Sequence, residues 1–244
     1  MDEIIVLQGR KVHLYGDLSA EYGIVQPADS RDINDMSKET ELLGKFLEGK
    51  PYFLAAFEVR DWNAELSPWE AEAAFGTDGF AGKAADTLVY LQKELIPYLD
   101  SRSVAGRKTK YVLAGYSLAG LFALWTAYQS ELFCAVAAAS PSVWFPDWTM
   151  YAADKRPMTE SVYLSLGDRE ERTRNPVMCR VGDAIRQQYR VLEAQGIPAV
   201  LEWNPGNHFK DCEMRVAKGI AWTVKKEEIL AESLKEVCVR IVVK

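Results

Sequence analysis

Residues 110–125 decide the fold of this 244-residue chain, and they read KYVLAGYSLAGLFALW. The first half, Lys110 to Tyr116, is an apolar run of β-formers and predicts a buried strand. The second half, from Leu118 onward, is apolar with no early helix breaker and predicts a buried helix. Ser117 lies at the turn between them, and the rest of the chain is interpreted around its hydroxyl.

The pentapeptide around Ser117 is G-x-S-x-A, with Gly115 and Ala119 two residues away on either side. A nucleophilic serine on a sharp strand-to-helix turn has a strained backbone that crowds these two positions, so both must be small. The turn also places the serine at a helix N-terminus, where free N–H groups stabilise an oxyanion. Such pentapeptides are common by chance, and it is the predicted strand before it and helix after it that favour a catalytic serine.

Size and charge narrow the class of protein. With 48% hydrophobic residues the chain fits one α/β domain, and a net charge of −6 without a Lys/Arg cluster argues against nucleic-acid or membrane partners. The apolar run at residues 4–7 is too short for a signal peptide or a membrane span. Cys134, Cys179, Cys212 and Cys238 show no metal-binding spacing and are most simply free, buried thiols, so we expect a cytoplasmic protein.

Strands and helices alternate along the chain. Residues 4–16 predict an antiparallel hairpin, and the alternating valines and isoleucine of residues 236–243 predict an extra C-terminal strand, either at the sheet edge or in an oligomer contact. The predicted strands between them are 22–26, 51–59, 110–116, 133–140, 161–166 and 197–203, and the predicted helices are 37–46, 84–99, 118–125, 175–195 and 211–226. This pattern predicts a single α/β domain over residues 1–244, with a core at about 22–228. Its central sheet is mainly parallel, with helices on both faces, antiparallel N-terminal edge strands and a minimal cap.

The chain has two histidines. In parallel sheets, reactive groups gather beyond the carboxyl ends of the strands. His208 follows the strand that ends at Trp203, in a Pro-Gly-Asn loop, and is the predicted general base. His13 lies in the N-terminal hairpin and is predicted to be structural or at the surface.

Three carboxylates follow the strand at 161–166, where the order serine, acid, histidine would place a triad acid. One of them must accept the imidazole N–H and stabilise the imidazolium. Asp168 comes directly after the strand, where it can complete the turn, whereas Glu170 has the reach to swing inward. We favour Glu170, with Asp168 as the first alternative and Glu171 as the second.

The predicted oxyanion hole uses the backbone N–H of Leu118 and a second N–H from the loop after the first parallel strand, near Ala28 or Asp29. Pro27 has no N–H to give.

Five of the seven tryptophans lie in or next to strand-end loops on the predicted rim of the site. Their functional interpretation is an aromatic-walled substrate pocket, and the alternative is that they only pack the loops. The five are Trp62, Trp69, Trp144, Trp148 and Trp203.

Three stretches carry a family resemblance: GYSLAG at 115–120, LGDRE at 166–170 and GNHF at 206–209. Over roughly residues 22–228 the chain resembles the branch of the α/β-hydrolase superfamily that includes esterase D, enterochelin-esterase-like and feruloyl-esterase-like proteins. The resemblance implies hydrolysis of a small-molecule carboxylic ester through an acyl-serine intermediate, with no metal or cofactor. Members often carry G-x-x-E after the acid-bearing strand, which maps onto Gly167 and Glu170. Where the superfamily commonly has His-Gly after the first parallel strand, this chain has Gln26 and Pro27.

The sequence thus predicts a serine esterase in which His208 activates Ser117. A thioesterase or acyltransferase with the same triad is the nearest alternative. A catalytically silent hydrolase-fold binding protein is the alternative from another class, because fold and function can separate.

Overall fold

The computed structural model describes residues 3–74, 76–104 and 108–242. Its strands are β1 Glu3–Leu7, β2 Arg10–Gly16, β3 Tyr22–Ala28, β4 Tyr52–Glu58, β5 Glu70–Ala71, β6 Phe80–Ala81, β7 Lys110–Tyr116, β8 Ala135–Ala139, β9 Ser161–Gly167 and β10 Ala199–Asn204. Eight of them form one sheet in the order β1-β2-β4-β3-β7-β8-β9-β10, and β5 pairs only with β6.

The large sheet is parallel over most of its width. β1 and β2 form the antiparallel hairpin, β2 is antiparallel to β4, and the six strands from β4 to β10 in the sheet order run parallel to one another. Apolar strands such as β8, AVAAA, are buried along their whole length because helices cover both faces. The predicted fold class is confirmed.

Helices form a layer on each face of this sheet. They are α1 Ser30–Phe46, α2 Trp62–Glu65, α3 Ala84–Tyr90, α4 Ile96–Arg102, α5 Leu118–Ala127, α6 Trp148–Asp154, α7 Val181–Ala194 and α8 Cys212–Val242. One hydrophobic core lies between the sheet and the layer of α3 to α7, and a second lies between the sheet and α1 with α8. Neighbouring β7 residues alternate between them, since Leu113 belongs to the first core and Val112 to the second.

The parallel strands all end at one edge of the sheet, so the loops after β7, β8, β9 and β10 meet there. The segment that contains α2, β5 and β6 packs beside this edge. Within it, the Trp69 indole N–H donates to the Pro146 carbonyl over 3.1 Å, and Phe80 packs on Trp144.

The predicted C-terminal strand is wrong, because α8 continues from Cys212 to Val242. The alternation of Val237, Val239 and Ile241 suits a strand, but no Gly or Pro follows Gly219. Extending an existing helix adds one hydrogen bond per residue without a new nucleus, so the helix propagates. Residue 243 lies outside the described residues.

The cysteines are only partly as predicted. Cys134, Cys179 and Cys212 are free thiols, but Cys179 is exposed and the other two are half-buried. The side chain of Cys238 lies outside the described part of the chain. Within the described ranges, no helix has both the length and the apolar character needed to cross a bilayer.

Candidate active site

Ser117 lies at the turn between β7 and α5. Its backbone has φ 57° and ψ −120°, a conformation that residues other than glycine rarely adopt. A Cβ on Gly115 would come within 2.5 Å of the Ala119 backbone, so this tight turn requires glycine two residues before the serine. The sequence pattern around Ser117 thus has a steric cause.

The His208 imidazole joins Ser117 to Glu170. His208 lies in the loop between β10 and α8, with Nε2 3.0 Å from Ser117 Oγ and Nδ1 2.7 Å from Glu170 Oε2. The Tyr116 hydroxyl donates to the His208 carbonyl over 2.6 Å and anchors this loop to the end of β7. The histidine, the serine and the favoured carboxylate therefore come together at one edge of the sheet.

The other two carboxylates have different partners. Asp168 Oδ1 accepts the Gly206 N–H over 2.7 Å and so links the loops after β9 and β10. Glu171 pairs with Arg186 over 3.3 Å. Neither contacts His208 among the described hydrogen bonds.

Glu170 remains ionised although it is almost fully buried. Burial alone would raise the pKa of its carboxyl, but hydrogen bonds from His208, Ser140 and the Gly167 N–H outweigh burial and hold the pKa below its ordinary value. A carboxylate only accepts hydrogen bonds, so His208 Nδ1 carries the proton and Nε2 is free to accept the Ser117 proton. In this tautomer the imidazole is prepared to act as a base.

Arg215 is a site residue that the sequence reasoning missed. Its side chain is 1% exposed, and one guanidinium nitrogen lies 2.7 Å from Glu170 Oε1 and 3.0 Å from both the Tyr116 hydroxyl and Ser140 Oγ. A second nitrogen donates to the Asn207 carbonyl over 3.0 Å. Arg215 thus ties the ends of β7, β8 and β9 to the histidine loop and holds the Glu170 carboxylate in place.

A signal for Arg215 was present in the sequence. It precedes Gly219 and Thr223 at intervals of four, and all three are buried on the inner face of α8. An arginine on an apolar helix face must find a buried partner, because an unpaired charge there is costly.

The predicted oxyanion-hole donors fare differently. Leu118 is the first residue of α5, so its N–H has no acceptor within the helix and lies next to Ser117. The Asp29 N–H is occupied, because it donates to Asp32 Oδ2 over 2.9 Å in the N-terminal cap of α1. The Ala28 N–H is occupied as well, because Ala28 pairs with Glu58 in the parallel ladder and its carbonyl accepts the Val59 N–H, which turns its N–H towards β4. Neither predicted position offers a free N–H in this structure, so the second donor stays unassigned.

The five tryptophans do not line one pocket. A cavity of about 380 Å³ borders His208, and Trp144 is the one of the five that lines it. Trp148 is fully buried and donates to Gln188, so it belongs to the core. Trp203 stacks under Arg186 on the outside, while Trp62 and Trp69 pack against the core.

His13 is mostly buried, and its Nε2 lies 2.9 Å from Glu58 Oε1, away from Ser117. In the part of the chain that the structure describes, no group of three or more His, Cys, Asp or Glu side chains is placed to hold a metal ion.

A family model described as "Putative esterase" matches residues 19–204. No curated protein matches the chain.

Several solved structures have a similar fold. An IroE-like serine hydrolase from Shewanella oneidensis has a TM-score of 0.75 at 15% identity, covering 91% of this chain and 79% of that one. Siderophore hydrolase EstA from Aspergillus nidulans has a TM-score of 0.66 at 18% identity, with coverages of 91% and 93%. Enterobactin esterase FES from Shigella flexneri, solved in the presence of enterobactin, has a TM-score of 0.61 at 18% identity, with coverages of 91% and 57%. At these identities the likeness establishes the α/β-hydrolase fold.

Proposed function

The chain belongs to the "Putative esterase" family and is by that membership a carboxylic ester hydrolase, and we propose that it works through an acyl-serine intermediate on Ser117. The observation that carries the proposal is the unbroken series of hydrogen bonds from Ser117 through His208 to Glu170, with distances of 3.0 and 2.7 Å. Side chains in this arrangement serve as nucleophile, general base and orienting acid. The turn at Ser117 is then a nucleophile elbow.

In the acylation step, His208 Nε2 takes the hydroxyl proton while Ser117 Oγ attacks the ester carbonyl carbon. The carbonyl π electrons move onto oxygen, where the Leu118 N–H and the positive end of the α5 dipole stabilise the oxyanion. Collapse of the tetrahedral intermediate breaks the bond to the alkoxy oxygen, and the departing alcohol takes the proton from Nε2.

In the deacylation step, water gives a proton to His208 Nε2 and attacks the acyl carbon. The second tetrahedral intermediate collapses, the proton returns to Ser117 Oγ and the carboxylic acid leaves. Glu170 stabilises the imidazolium in both steps and keeps its own charge.

We propose small-molecule carboxylic esters as the substrate class. Two of the similar structures are described as a siderophore hydrolase and an enterobactin esterase, so enterobactin belongs in the substrate panel. The panel also contains p-nitrophenyl esters of increasing chain length, aryl esters and thioesters. The thioesters distinguish an esterase from a thioesterase that uses the same three residues.

A fluorophosphonate probe tests the mechanism directly, since it reacts with activated serines. We expect it to label the native protein and the Ser101→Ala control, in which an exposed serine of α4 is removed, but not the Ser117→Ala variant. Hydrolysis of p-nitrophenyl butyrate should follow the labelling. No labelling of the native protein, or equal labelling of Ser117→Ala, would end the proposal.

A further inference from the structure

The cavity next to His208 has two kinds of wall. Trp144, Met178 and Phe209 give it an apolar side, and Phe209 is 83% exposed at its mouth. The lining also includes three arginines from the loop between β9 and α7, namely Arg169, Arg172 and Arg174. A lining that combines apolar side chains with guanidinium groups suits an organic molecule that carries a negative charge.

The positive charge of this cavity is not compensated by its own lining. Glu170 is the only carboxylate among the described lining residues, and both of its oxygens are taken, Oε2 by His208 and Oε1 by Arg215 and Ser140. No hydrogen bond or ion pair joins the side chains of Arg172 and Arg174 to any described residue.

Arg169 has only a distant acidic neighbour, with Nε 4.0 Å from Asp168 Oδ1. These three arginines line one cavity of a chain whose net charge is −6. Although the chain has more acidic than basic residues, three guanidinium groups line the same cavity as His208.

The loop that presents these arginines is anchored at both ends. Asp168 Oδ1 fixes its start through the Gly206 N–H, and the Asn175 side chain donates to the Ala74 carbonyl over 2.6 Å. The Asn175 side-chain oxygen also accepts the Val177 N–H over 2.9 Å. Arg172 and Arg174 therefore extend from a backbone whose position is fixed relative to His208.

On the premise of the proposed esterase reaction, we propose that this cavity is an anion subsite and that the preferred substrates are esters with a second, anionic group remote from the reacting carbonyl. A carboxylate or a phosphate fits, because guanidinium groups bind both in two-point geometry. The apolar wall takes the hydrocarbon between that anion and the ester. The arginines also raise the local concentration of such substrates in an otherwise acidic protein.

Matched ester pairs test the subsite from the acyl and the alcohol sides. On the acyl side, 4-nitrophenyl hydrogen suberate is compared with its methyl-capped neutral counterpart. On the alcohol side, 4-acetoxybenzoate is compared with 4-acetoxybenzamide. In at least one pair we expect kcat/KM to favour the anionic ester by about tenfold, the size that two partly exposed ion pairs provide.

The double variant Arg172→Gln, Arg174→Gln should reduce this preference to within about twofold of unity, and added salt should weaken it in the native protein. The preference is measured as the ratio of kcat/KM for the two members of a pair, so a change in activity that is common to both members cancels. Arg190→Gln removes the same charge from an exposed α7 position outside the cavity and should leave the preference intact. Equal rates for both members of both pairs, or a preference that survives the double substitution, would overturn the subsite.

Failure of the esterase function itself has a separate signature, namely no hydrolysis of any ester and no fluorophosphonate labelling. In that event, the anion subsite is tested by binding alone: the Ser117→Ala variant is titrated with monomethyl suberate in a calorimeter. Weaker binding after Arg172→Gln and Arg174→Gln are added supports the anion site, and unchanged or undetectable binding rejects it.

Discussion

Glu170 divides its two carboxylate oxygens between two tasks. Oε2 receives the His208 Nδ1–H, while Oε1 accepts from Ser140, the Gly167 N–H and Arg215, each over 2.7 Å. The second set of bonds fixes the carboxylate without competing for the imidazole. A glutamate two residues beyond Asp168 can reach this position because Asp168 itself closes the loop onto Gly206.

Replacing Glu170 by Gln should therefore slow ester hydrolysis far more than Asp168→Asn. An amide at position 170 cannot stabilise the imidazolium and can turn its NH₂ towards Nδ1, which selects the wrong tautomer, so we expect kcat to fall by about 10³-fold or more. Asp168→Asn keeps an acceptor for the Gly206 N–H and should change kcat by less than about tenfold. Steady-state rates on p-nitrophenyl butyrate give the comparison, with circular dichroism to verify folding.

If Asp168→Asn were the more damaging change, the acid role would pass to Asp168. Comparable small losses for both variants would remove the orienting acid from the mechanism altogether.

Among single residues, those that belong to local sequence motifs could be predicted, whereas those whose role depends on long-range contacts could not. The pattern around Ser117 could be recognised because steric crowding requires Gly115 at the turn. Glu170 was favoured by its reach and by the G-x-x-E pattern of the family that the chain resembles. Arg215 was missed because its contacts come from three strand ends that are distant in sequence. Trp148 was assigned to a pocket because position in a loop does not reveal which way a side chain points.

Helix α1 carries an ionisable group against the sheet. Glu39 is 5% exposed and faces Gln26 of β3, whose side-chain NH₂ lies 3.4 Å from Glu39 Oε2. Oε1 of each side chain has no hydrogen-bond partner in the described part of the chain. Burial raises the pKa of Glu39 to about 8, against the smaller opposing effect of the Gln26 hydrogen bond.

The packing of α1 should therefore weaken as pH rises. The pKa of the Glu39 carboxyl is ~4.3 in the unfolded chain and about 8 in the folded protein. Between these two pH values, folding takes up a proton. The free energy of unfolding therefore falls as pH rises. Glu39→Gln removes this dependence. At about pH 8 we expect the variant to be more stable than the native protein by about 1–3 kcal/mol, and at about pH 5 the two should differ little.

Thermal unfolding across this pH range measures the effect. Glu41→Gln, on the exposed side of the same helix, is the matched control and should leave the pH dependence unchanged. Parallel curves of Tm against pH for the native protein and Glu39→Gln would contradict the assignment.

Element types were predictable from periodicity, whereas their ends depended on details of backbone hydrogen bonding. α1 begins at Ser30 rather than at Ser37, because Asp29 and Asp32 cap it reciprocally. The helix predicted over residues 84–99 continues to Arg102. The π-helical turn Leu91–Leu95 shifts the register and leaves Pro97 in the first turn of α4, where its missing N–H costs little. Residues 236–243 were predicted as a strand because the alternation of their side chains does not show that helix α8 precedes them and continues through them.

At the scale of the whole molecule, the strand order places the site. β7 lies near the middle of the sheet, with β8, β9 and β10 on one side in chain order. Consecutive crossovers therefore bring the loops that carry the serine, the acid and the histidine to one edge of the sheet. The order of these loops follows from the alternation of strands and helices along the chain. The sequence could predict that convergence, whereas the arginine-lined cavity requires the path of the loop after β9.

The single domain predicted for residues 1–244 has a thermodynamic consequence. Two hydrophobic cores lie on opposite faces of one sheet, and each central strand contributes side chains to both. If either helix layer is lost, the apolar strand surface beneath it is exposed, and the sheet no longer supports the other layer. Neither layer is therefore expected to persist alone.

We therefore expect one cooperative unfolding transition, in which tryptophan fluorescence and far-UV circular dichroism change together. The calorimetric enthalpy should be roughly 170 kcal/mol for a chain of 244 residues. The calorimetric and van't Hoff enthalpies should agree. Two separated transitions, or a calorimetric enthalpy well above the van't Hoff value, would show that the two layers unfold as independent units.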